Sequence, residues 1–306
     1  MATVAPRSLA APNAWRAWAS ASRPRTLAVS AAPVLVGTAV AHAHGGARVG
    51  PALAACLGAV LIQIGTNLAN DFFDAEKGAD GEDRIGPPRA VQMGWLTPAQ
   101  VRRGAALVFA AAGLVGLYLI AVAGWPIALL GTLSIAAGIA YTGGPWPLAY
   151  HGLGDVAVFV FFGVAAVCGT CYVQLLTLPA DALAASLSIG ALATAVLVVN
   201  NLRDIDTDQR AGKRTLAVRI GRRGTRVEFG ALLVLAYAVP VGLWLGAQVS
   251  AWILLPLATL PRAVRLLRVV WRRVDGPALN DALADTARLG LVFALLFALG
   301  WIGGAA

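Results

Sequence analysis

Long apolar stretches without Asp, Glu, Lys or Arg recur along the chain and are separated by polar segments. Examples are residues 51–68, 104–123 and 229–249. An apolar run of about 18 residues or more is long enough to cross a bilayer as a helix. The pattern therefore predicts an all-α fold, a polytopic membrane helical bundle. It places about nine transmembrane helices, at residues 27–43, 51–70, 104–123, 126–141, 154–176, 182–200, 228–247, 251–270 and 286–304.

The segments between the predicted helices alternate in charge. Most of the Lys and Arg residues lie in the long segments 71–103, 201–227 and 262–285. The segment 142–153 is polar but uncharged, and its place in the order of helices puts it on the same side of the membrane as these three. Among the short segments, only the one that contains Arg48 carries Lys or Arg. Basic residues concentrate in the cytoplasmic loops of membrane proteins. We therefore expect a multi-pass protein of the cytoplasmic (inner) membrane, with the N-terminus in the cytoplasm and the C-terminus outside.

A weak internal repeat divides the chain. Asn67 and Asp71 end the second predicted helix with the spacing N-x-x-x-D, and Asn200 and Asp204 end the sixth with the same spacing. Repeats of this kind commonly place a binding site at the interface between the two halves. We expect a tail with an interfacial helix at 1–26, then one membrane domain at 27–306. Its pseudo-repeats would cover about 27–141 and 154–270 and precede a last helix.

Composition supports a membrane protein. Hydrophobic residues make up 58% of the chain and charged residues 13%, about half the charged fraction of soluble domains. The net charge of +9 does not indicate nucleic-acid binding, because the basic residues lie in loops and form no basic aromatic groove. Cys168 and Cys171 form a C-x-x-C, which is a redox motif in other settings. Their position inside a predicted membrane helix favours a packing role.

Nine of the 15 acidic residues lie in two short stretches, 71–83 and 204–208. Carboxylates this close together repel one another and lose hydration at the membrane surface, and a divalent cation relieves both costs. Ligands that are all oxygen favour Mg²⁺, which keeps coordination positions for phosphate oxygens. The stretches therefore predict Mg²⁺ and a phosphorylated ligand. In a helix, two polar sets would each share one face: Asn67, Asn70, Asp71 and Asp74, and Asn200, Asp204 and Asp208.

Both lysines of the chain follow these acidic stretches. Lys77 lies three residues after Asp74, and Lys213 lies five residues after Asp208. A lysine ammonium is a mobile point charge suited to diphosphate oxygens, and the adjacent Arg214 can bind such oxygens in bidentate fashion. The positive-inside rule explains the many arginines of the loops, but it does not explain why both lysines lie here. Their position favours an anionic ligand.

Three segments resemble the UbiA superfamily of intramembrane aromatic prenyltransferases. They are NLANDFFDAEKGADGEDRIGPPRAVQ, YTGGPWPLAYHGLGD and NNLRDIDTDQRAGKRTLAVRIG, and the resemblance extends over nearly the whole chain from Ser22 onward. The acidic motifs carry the superfamily resemblance. DRIGPPR and YTGGPWPLAYHGLGD resemble the branch whose acceptor is 1,4-dihydroxy-2-naphthoate, in menaquinone biosynthesis. The resemblance implies that a polyprenyl chain is transferred from polyprenyl diphosphate to an aromatic ring.

The resemblance also implies roles for individual residues. Mg²⁺ on the diphosphate would be held by Asp71, Asp74, Asp204 and Asp208, with Asp71 and Asp204 catalytic together with Lys77, Lys213 and Tyr141. The second segment matches N-x-x-x-D-x-x-x-D fully, but the first has Ala75 at the last position. Either Asp74 or Asp80 could complete the first metal site, and Asp206 could support the second. Residues that would orient the substrate are Asn67, Asn70, Asn200, Lys77, Lys213 and Arg214.

Aromatic side chains and arginines supply the remaining candidates. A carbocation needs a dry cavity with π faces, and Tyr141 is the aromatic residue we favour among Phe72, Phe73, Tyr141, Trp146, Phe159, Phe161 and Phe162. The acceptor carboxylate needs a cation, for which Arg25, Arg84 and Arg89 are candidates; His151 is a further substrate-binding candidate. The apolar tail would enter laterally from the lipid, where small residues such as those of 105–116 could line the route.

Other functions compatible with the sequence use the same acidic residues. A prenyltransferase for a different acceptor, such as 4-hydroxybenzoate or a heme or chlorophyll precursor, would share both acidic motifs. A divalent-cation transporter is a different class, and the clustering of the acids at one membrane face argues against it. A non-catalytic membrane scaffold would leave the paired motifs without a role.

Overall fold

The computed structural model describes residues 13–79, 85–246 and 249–305, and for residues 25, 26 and 28 it describes the backbone alone. The described residues form ten α-helices and no strand. Short 3-10 helices lie at Leu148–His151 and Ala251–Thr259. The α-helices are α1 (Ala14–Ser22), α2 (Pro24–Ala43), α3 (Val49–Glu76), α4 (Pro98–Ala123), α5 (Trp125–Ala140), α6 (Gly154–Leu175), α7 (Ala180–Arg210), α8 (Leu216–Gly246), α9 (Leu260–Arg272) and α10 (Gly276–Ala305).

These helices confirm the predicted all-α membrane bundle. Six of them, α3, α4, α6, α7, α8 and α10, are long and apolar enough to cross a membrane, and α2 and α5 contain shorter apolar helices. The predicted helix at 251–270 divides into the 3-10 helix and α9, whose exposed side carries several arginines. Counted over the described residues, α2 to α10 agree roughly with the predicted number of nine.

Helix α7 is the centre of the bundle. It packs against α2, α6, α8 and α10, and most of its apolar part is buried. Helix α3 forms a second centre, with α4, α5 and α2 around it. The two acidic segments of the sequence lie at the C-terminal ends of these two helices, so the fold brings both ends to one side of the bundle.

Both central helices continue past their predicted ends at residues 70 and 200, to Glu76 and Arg210. Each stops at a glycine with positive φ, 65° at Gly78 and 73° at Gly212. The next backbone amide then bonds back to a carbonyl near the helix end, Ala79 N to Asp74 O at 2.9 Å and Lys213 N to Asp208 O at 2.8 Å. This is the Schellman type of helix end, and it repeats in the two halves.

Helix α6 contains a π-helical segment, Phe159–Ala165. Gly163 in this segment lies so close to Gly190 of α7 that a Cβ atom on Gly163 would be 2.5 Å from Gly190 Cα. The widened turn packs on α7 at this point. Single wide turns of this kind inside α-helices are frequent at functional sites.

Candidate active site

A cavity of about 1250 Å³ lies among α2 to α7 and reaches the start of α10. Its polar end is formed by the C-terminal ends of α3 and α7 and by residues 85–89 of the following loop. Small and apolar residues of α2, α4, α5 and α6 line the rest, among them Pro33, Gly116, Gly131, Ile135, Phe162 and Gly169. The cavity can therefore hold a charged group at one end and a long apolar group along the remainder.

Among the described carboxylates of the first acidic segment, Asp74 forms the most contacts. It is 1% exposed, and its Oδ2 lies 2.8 Å from Arg89 NH2. Its Oδ1 accepts a hydrogen bond from the Tyr150 hydroxyl at 2.9 Å and lies 3.0 Å from Lys213 Nζ. Lys213 follows the second acidic segment, so Asp74 joins the two segments through a single ammonium group.

Asp71 binds backbone amides of the loop that follows α3. Its carboxylate accepts hydrogen bonds from the backbone amides of Ala90 at 3.1 Å and Val91 at 3.4 Å. With the Asp74–Arg89 ion pair, these bonds hold the loop after α3 against the polar end of the cavity. The two asparagines of this segment are also engaged: Asn70 Oδ1 accepts from the Thr142 hydroxyl at 2.7 Å, and Asn67 Nδ2 donates to Ser22 O at 2.9 Å.

The second acidic segment is organised by Arg203, which is 4% exposed. Its Nε and NH2 donate to the two carboxylate oxygens of Asp204 at 2.7 and 2.5 Å. The same guanidinium donates to Asn200 Oδ1 at 2.9 Å and to Asn280 Oδ1 of α10 at 2.6 Å. Asn280 in turn donates to Ile85 O at 3.3 Å. This network ties the loop at residue 85 to Asp204.

Asp208 and Asp206 face different surroundings. Asp208 lines the cavity and interacts electrostatically with Lys213, Asp204 and Asp74. Asp206 does not line it; its side chain is 63% exposed and pairs with Arg222 at 2.8 Å. The carboxylates that meet around Lys213 are thus those of Asp74 and Asp208.

The donor set at the polar end fits Mg²⁺ in its chemistry. The carboxylates there have no His or Cys beside them, which favours a hard cation. In the described part of the chain, no three acidic, His or Cys side chains form a group that could hold a metal. Mg²⁺ is usually held by one or two carboxylates together with waters and substrate phosphates. The carboxylates that line the polar end and could hold it are Asp71, Asp74, Asp204 and Asp208. The oxygens of Asp71 accept amides of the loop, and those of Asp74 and Asp204 lie beside arginines.

Three predicted substrate-binding residues lie outside this cavity. Lys77, His151 and Arg214 line a second pocket of about 480 Å³ together with Arg219 and Tyr150, which we call the basic pocket. Lys77 Nζ donates to Thr142 O at 2.5 Å, and desolvation lowers the pKa of its ammonium group below the usual value, with Asp74 opposing this shift. His151 stacks on Trp146 with 4.4 Å between ring centroids.

The other predicted residues divide between the cavity and positions outside the described residues. Tyr141, Arg89, Phe161 and Phe162 line the cavity, and Gly154 leaves room for the Tyr141 hydroxyl, because a Cβ there would lie 3.0 Å from it. Phe72 and Phe73 pack on each other at 5.0 Å. Neither they nor Phe159 and Trp146 line the cavity. Asp80 and Arg84 lie outside the described residues, as does the side chain of Arg25.

Sequence reasoning missed Tyr150, Arg203, Thr142 and Asn280. Arg203 adjoins Asp204 in the N-N-L-R-D run, so the sequence shows the two residues side by side, but it does not show that the arginine is buried. Tyr150 and Asn280 are far from the acidic segments along the chain, and the sequence holds no local sign of their contacts. All three cysteines are free, and Cys168 and Cys171 are buried, as a packing role requires.

Comparison with known proteins gives consistent results. The model of the UbiA prenyltransferase family matches residues 30–286. The chain is 41% identical to the 1,4-dihydroxy-2-naphthoate octaprenyltransferase of Escherichia coli K12 over 292 residues, covering 93% of this chain and 94% of that protein. It is 43% identical to the protein of the same name from Mycobacterium tuberculosis H37Rv over 282 residues, covering 92% and 95%.

Solved structures share the fold at low sequence identity. A UbiA homolog from Aeropyrum pernix K1 superposes with a TM-score of 0.69 at 16% identity, covering 92% of this chain and 98% of that chain. A UbiA homolog from Archaeoglobus fulgidus, bound to DMAPP and Mg²⁺, superposes with a TM-score of 0.67 at 13% identity, covering 94% and 99%.

Proposed function

The chain belongs to the UbiA prenyltransferase family, and on that premise we propose that it transfers a polyprenyl chain to 1,4-dihydroxy-2-naphthoate. The donor is a polyprenyl diphosphate, and the products are a demethylmenaquinol, CO₂ and diphosphate. The acceptor is that of the relatives named 1,4-dihydroxy-2-naphthoate octaprenyltransferase, which match more than nine-tenths of this chain.

One observation supports the reaction most directly. Two acidic helix ends meet at the polar end of a cavity whose remaining wall is mostly apolar. A polyprenyl diphosphate has the same division, a charged head and a long hydrocarbon tail. The head would lie between Asp74 and Asp208, beside Lys213 and Arg89, and the tail would follow the small residues of α4, α5 and α6.

The residues at the polar end have separable roles in this proposal. Mg²⁺ on Asp74, Asp204 and Asp208 would neutralise charge that develops on the leaving diphosphate. Lys213 and Arg89 lie beside Asp74 and would bind phosphate oxygens. Arg203 would orient Asp204, and Asp71 would hold the loop that covers the head group. Positioned cations of this kind stabilise the leaving group as the allylic C–O bond breaks.

The walls of the cavity would protect the allylic cation until the ring attacks. Phe161, Phe162 and Tyr141 offer π faces, and apolar walls exclude water. The electron-rich naphthoate ring forms a C–C bond at the carbon that bears the carboxylate. Loss of CO₂ from that carbon then restores the aromatic ring, so no strong proton-abstracting base is required. The acceptor carboxylate needs a cation. Of the arginines predicted for this, Arg89 has a described side chain, and it lines the cavity at the polar end, where it would face both the diphosphate and the carboxylate.

Two of the alternative functions, transfer to another acceptor and cation transport, use the same acidic residues. Transfer to 4-hydroxybenzoate would use the same acidic residues and cavity, but the relatives at the highest identities have naphthoate as the named acceptor. A cation transporter loses its basis once the chain belongs to a prenyltransferase family.

The deciding experiment uses purified protein in lipid nanodiscs with Mg²⁺ and a radiolabelled polyprenyl diphosphate. 1,4-Dihydroxy-2-naphthoate and 4-hydroxybenzoate are supplied in parallel reactions. We expect the label of the donor to appear in a prenylated naphthalenediol. When the carboxyl group of the naphthoate is labelled instead, we expect labelled CO₂ to be released. Transfer to 4-hydroxybenzoate alone would contradict the acceptor, and no transfer to either would contradict the activity.

The orientation in the membrane is part of the proposal. The basic loops indicate a cytoplasmic N-terminus and an external C-terminus in the cytoplasmic membrane. The acidic segments would then face the cytoplasm, where a water-soluble acceptor is available. A reporter enzyme that folds only outside the cytoplasm, fused after Ala306, should be active. A reporter active only in the cytoplasm at that position would reverse the topology.

A further inference from the structure

The basic pocket has the composition of an anion site. Lys77 directly follows α3, His151 ends a 3-10 helix, and Arg214 and Arg219 lie around the start of α8, so three separate segments contribute. None of its lining residues in the described chain is acidic. Lys77, Arg214 and Arg219 are exposed, so the pocket opens to solvent. Cations that converge repel one another, and a bound anion relieves this repulsion.

Local bonds hold these groups in place. The Arg214 amide donates to Tyr150 O at 3.1 Å, and Arg219 Nε donates to Arg214 O at 3.2 Å. Within the part of the chain that the structure describes, no side-chain hydrogen bond is formed by the Arg214 guanidinium. These contacts therefore fix the start of α8 against the 3-10 helix and leave the Arg214 guanidinium available for a ligand. Guanidinium groups bind phosphate oxygens in bidentate fashion.

Tyr150 separates the basic pocket from the main cavity. Its hydroxyl faces Asp74, and its ring has Lys77 Nζ at 4.8 Å and Lys213 Nζ at 5.0 Å from the centroid. Lys213 lines the main cavity, and Lys77 lines the basic pocket. A series of cations thus leads from Asp74 past one aromatic ring to solvent. A polyanion that moves along this series stays beside a positive charge throughout.

We propose that the basic pocket binds inorganic diphosphate as it leaves the reaction centre for water. The identity of the ligand rests on the proposed function, because prenyl transfer releases diphosphate. The released ion is too highly charged to leave through the lipid, so it must exit where the protein meets water. The main cavity would bind diphosphate through Mg²⁺, whereas the basic pocket supplies cations of its own. Binding in the basic pocket should therefore need no metal.

The test is a calorimetric titration of sodium diphosphate into the full-length protein with EDTA present. The protein is held in nanodiscs of phosphatidylcholine, which has no net charge. We expect saturable binding to the wild type and at least about a tenfold loss of affinity in Arg214→Gln/Arg219→Gln, the scale of a lost charge-assisted hydrogen bond. The matched control is Arg223→Gln/Arg265→Gln, which removes two exposed arginines outside the pocket and should bind as the wild type does.

The possible results separate the alternatives. Absence of metal-independent binding, or an equal loss in the control variant, would overturn the proposal. A repeat in nanodiscs with phosphatidylglycerol distinguishes the source of the phosphate group: competition by this lipid would make the pocket a headgroup site and overturn the exit role. The titration contains no prenyl substrate, so its outcome does not depend on the transfer assay. A wild type that binds diphosphate but transfers no prenyl group would contradict the proposed function instead.

Discussion

The Tyr150 hydroxyl donates a hydrogen bond to Asp74 Oδ1 at 2.9 Å, although the two residues are 76 positions apart in the chain. The same carboxylate oxygen lies 3.0 Å from Lys213 Nζ. Asp74 therefore receives a donor from the middle of the chain and another from the second acidic segment. These contacts fix the direction of a carboxylate that would bind the metal in the proposed reaction.

Replacement of Tyr150 by phenylalanine removes the hydroxyl and keeps the ring between the lysines. We expect transfer activity to fall about tenfold, because a hydrogen bond to a charged group contributes about 1.5–3 kcal/mol. The Mg²⁺ concentration for half-maximal rate should rise as well, since Asp74 loses a group that orients it. Steady-state assays at varied Mg²⁺ measure both effects. Tyr118→Phe, at an exposed position on α4, is the matched control and should behave as the wild type.

Asp74 and Asp206 provide a comparison between a cavity carboxylate and an exposed one. Asp74→Asn should lower the transfer rate at least about a hundredfold, on the scale of losing a transition-state contact. Asp206→Asn should stay within a few-fold of the wild type, because its ion pair with Arg222 is exposed and such pairs contribute little. Initial rates under saturating donor test this difference. Similar rates in the two variants would mean that the metal is held elsewhere.

Asp71 differs from Asp74 because its partners are backbone amides. Asp71→Asn replaces one acceptor oxygen with a donor, so it cannot accept from both Ala90 and Val91. We expect amide exchange of the 85–97 segment to accelerate about tenfold or more, since each bond holds about a kcal/mol against local opening. Hydrogen-exchange mass spectrometry measures this directly. Asp74→Asn keeps both amide bonds, and unchanged exchange in Asp71→Asn would contradict the proposed role in the loop.

Arg203 should contribute to stability as well as to activity. Arg203→Gln leaves Asp204 partly buried without its ion pair, and loss of a buried partner costs about 3–5 kcal/mol. Arg222→Gln removes an exposed ion pair and should cost about 1 kcal/mol or less. Unfolding in mixed micelles compares the two variants. Asn280→Ala removes only one hydrogen-bond partner of Arg203 and keeps its ion pair with Asp204. This variant tests whether Arg203 must be held in position for activity, and we expect reduced activity with little loss of stability.

Gly116 and Gly131 keep the apolar part of the cavity open. Both line it, and a Cβ atom at either would meet nothing within 4 Å. Gly116→Leu should fold normally but shorten the longest prenyl diphosphate accepted, because the new side chain occupies space along the tail. A series of donors of increasing length measures the limit. Gly242 lies outside the cavity, and a Cβ atom there would also meet nothing within 4 Å. Gly242→Leu is therefore the matched control and should leave the longest accepted donor unchanged.

The sequence predicted the bundle well because membrane crossing is a property of single segments. Each uncharged run requires a helix of its own, so periodicity and charge identify it without tertiary information. The helix ends were less predictable. The apolar runs stop near residues 70 and 200, but α3 and α7 continue into the acidic segments, because backbone hydrogen bonding does not require apolar side chains. The glycines at 78 and 212, which do end these helices, were available in the sequence.

The candidate site was predictable in its acidic residues but not in their partners. Shared helical faces placed Asn70, Asp71 and Asp74 together, and α3 has this arrangement. The two lysines line different pockets because the Tyr150 ring lies between them. Tyr150 belongs to the 3-10 helix Leu148–His151, which is far from both acidic segments along the chain, so its position follows from tertiary packing. Arg203 was passed over because an arginine in a basic loop resembles an ordinary topology signal until its burial is known.

The π-helical segment of α6 makes the length of that helix critical. An α-helix turns by about 100° for each residue, and the wide turn at Phe159–Ala165 accommodates its residues without the regular i→i+4 ladder. Deletion of one residue within the wide turn would return the helix to regular winding and keep its two ends in register, at the cost of the close approach of Gly163 to Gly190. Deletion of one residue in the regular part of α6 after the turn would instead rotate everything before it by about one residue step, taking Gly154 away from the Tyr141 hydroxyl. A one-residue deletion should therefore be tolerated better inside the wide turn than after it.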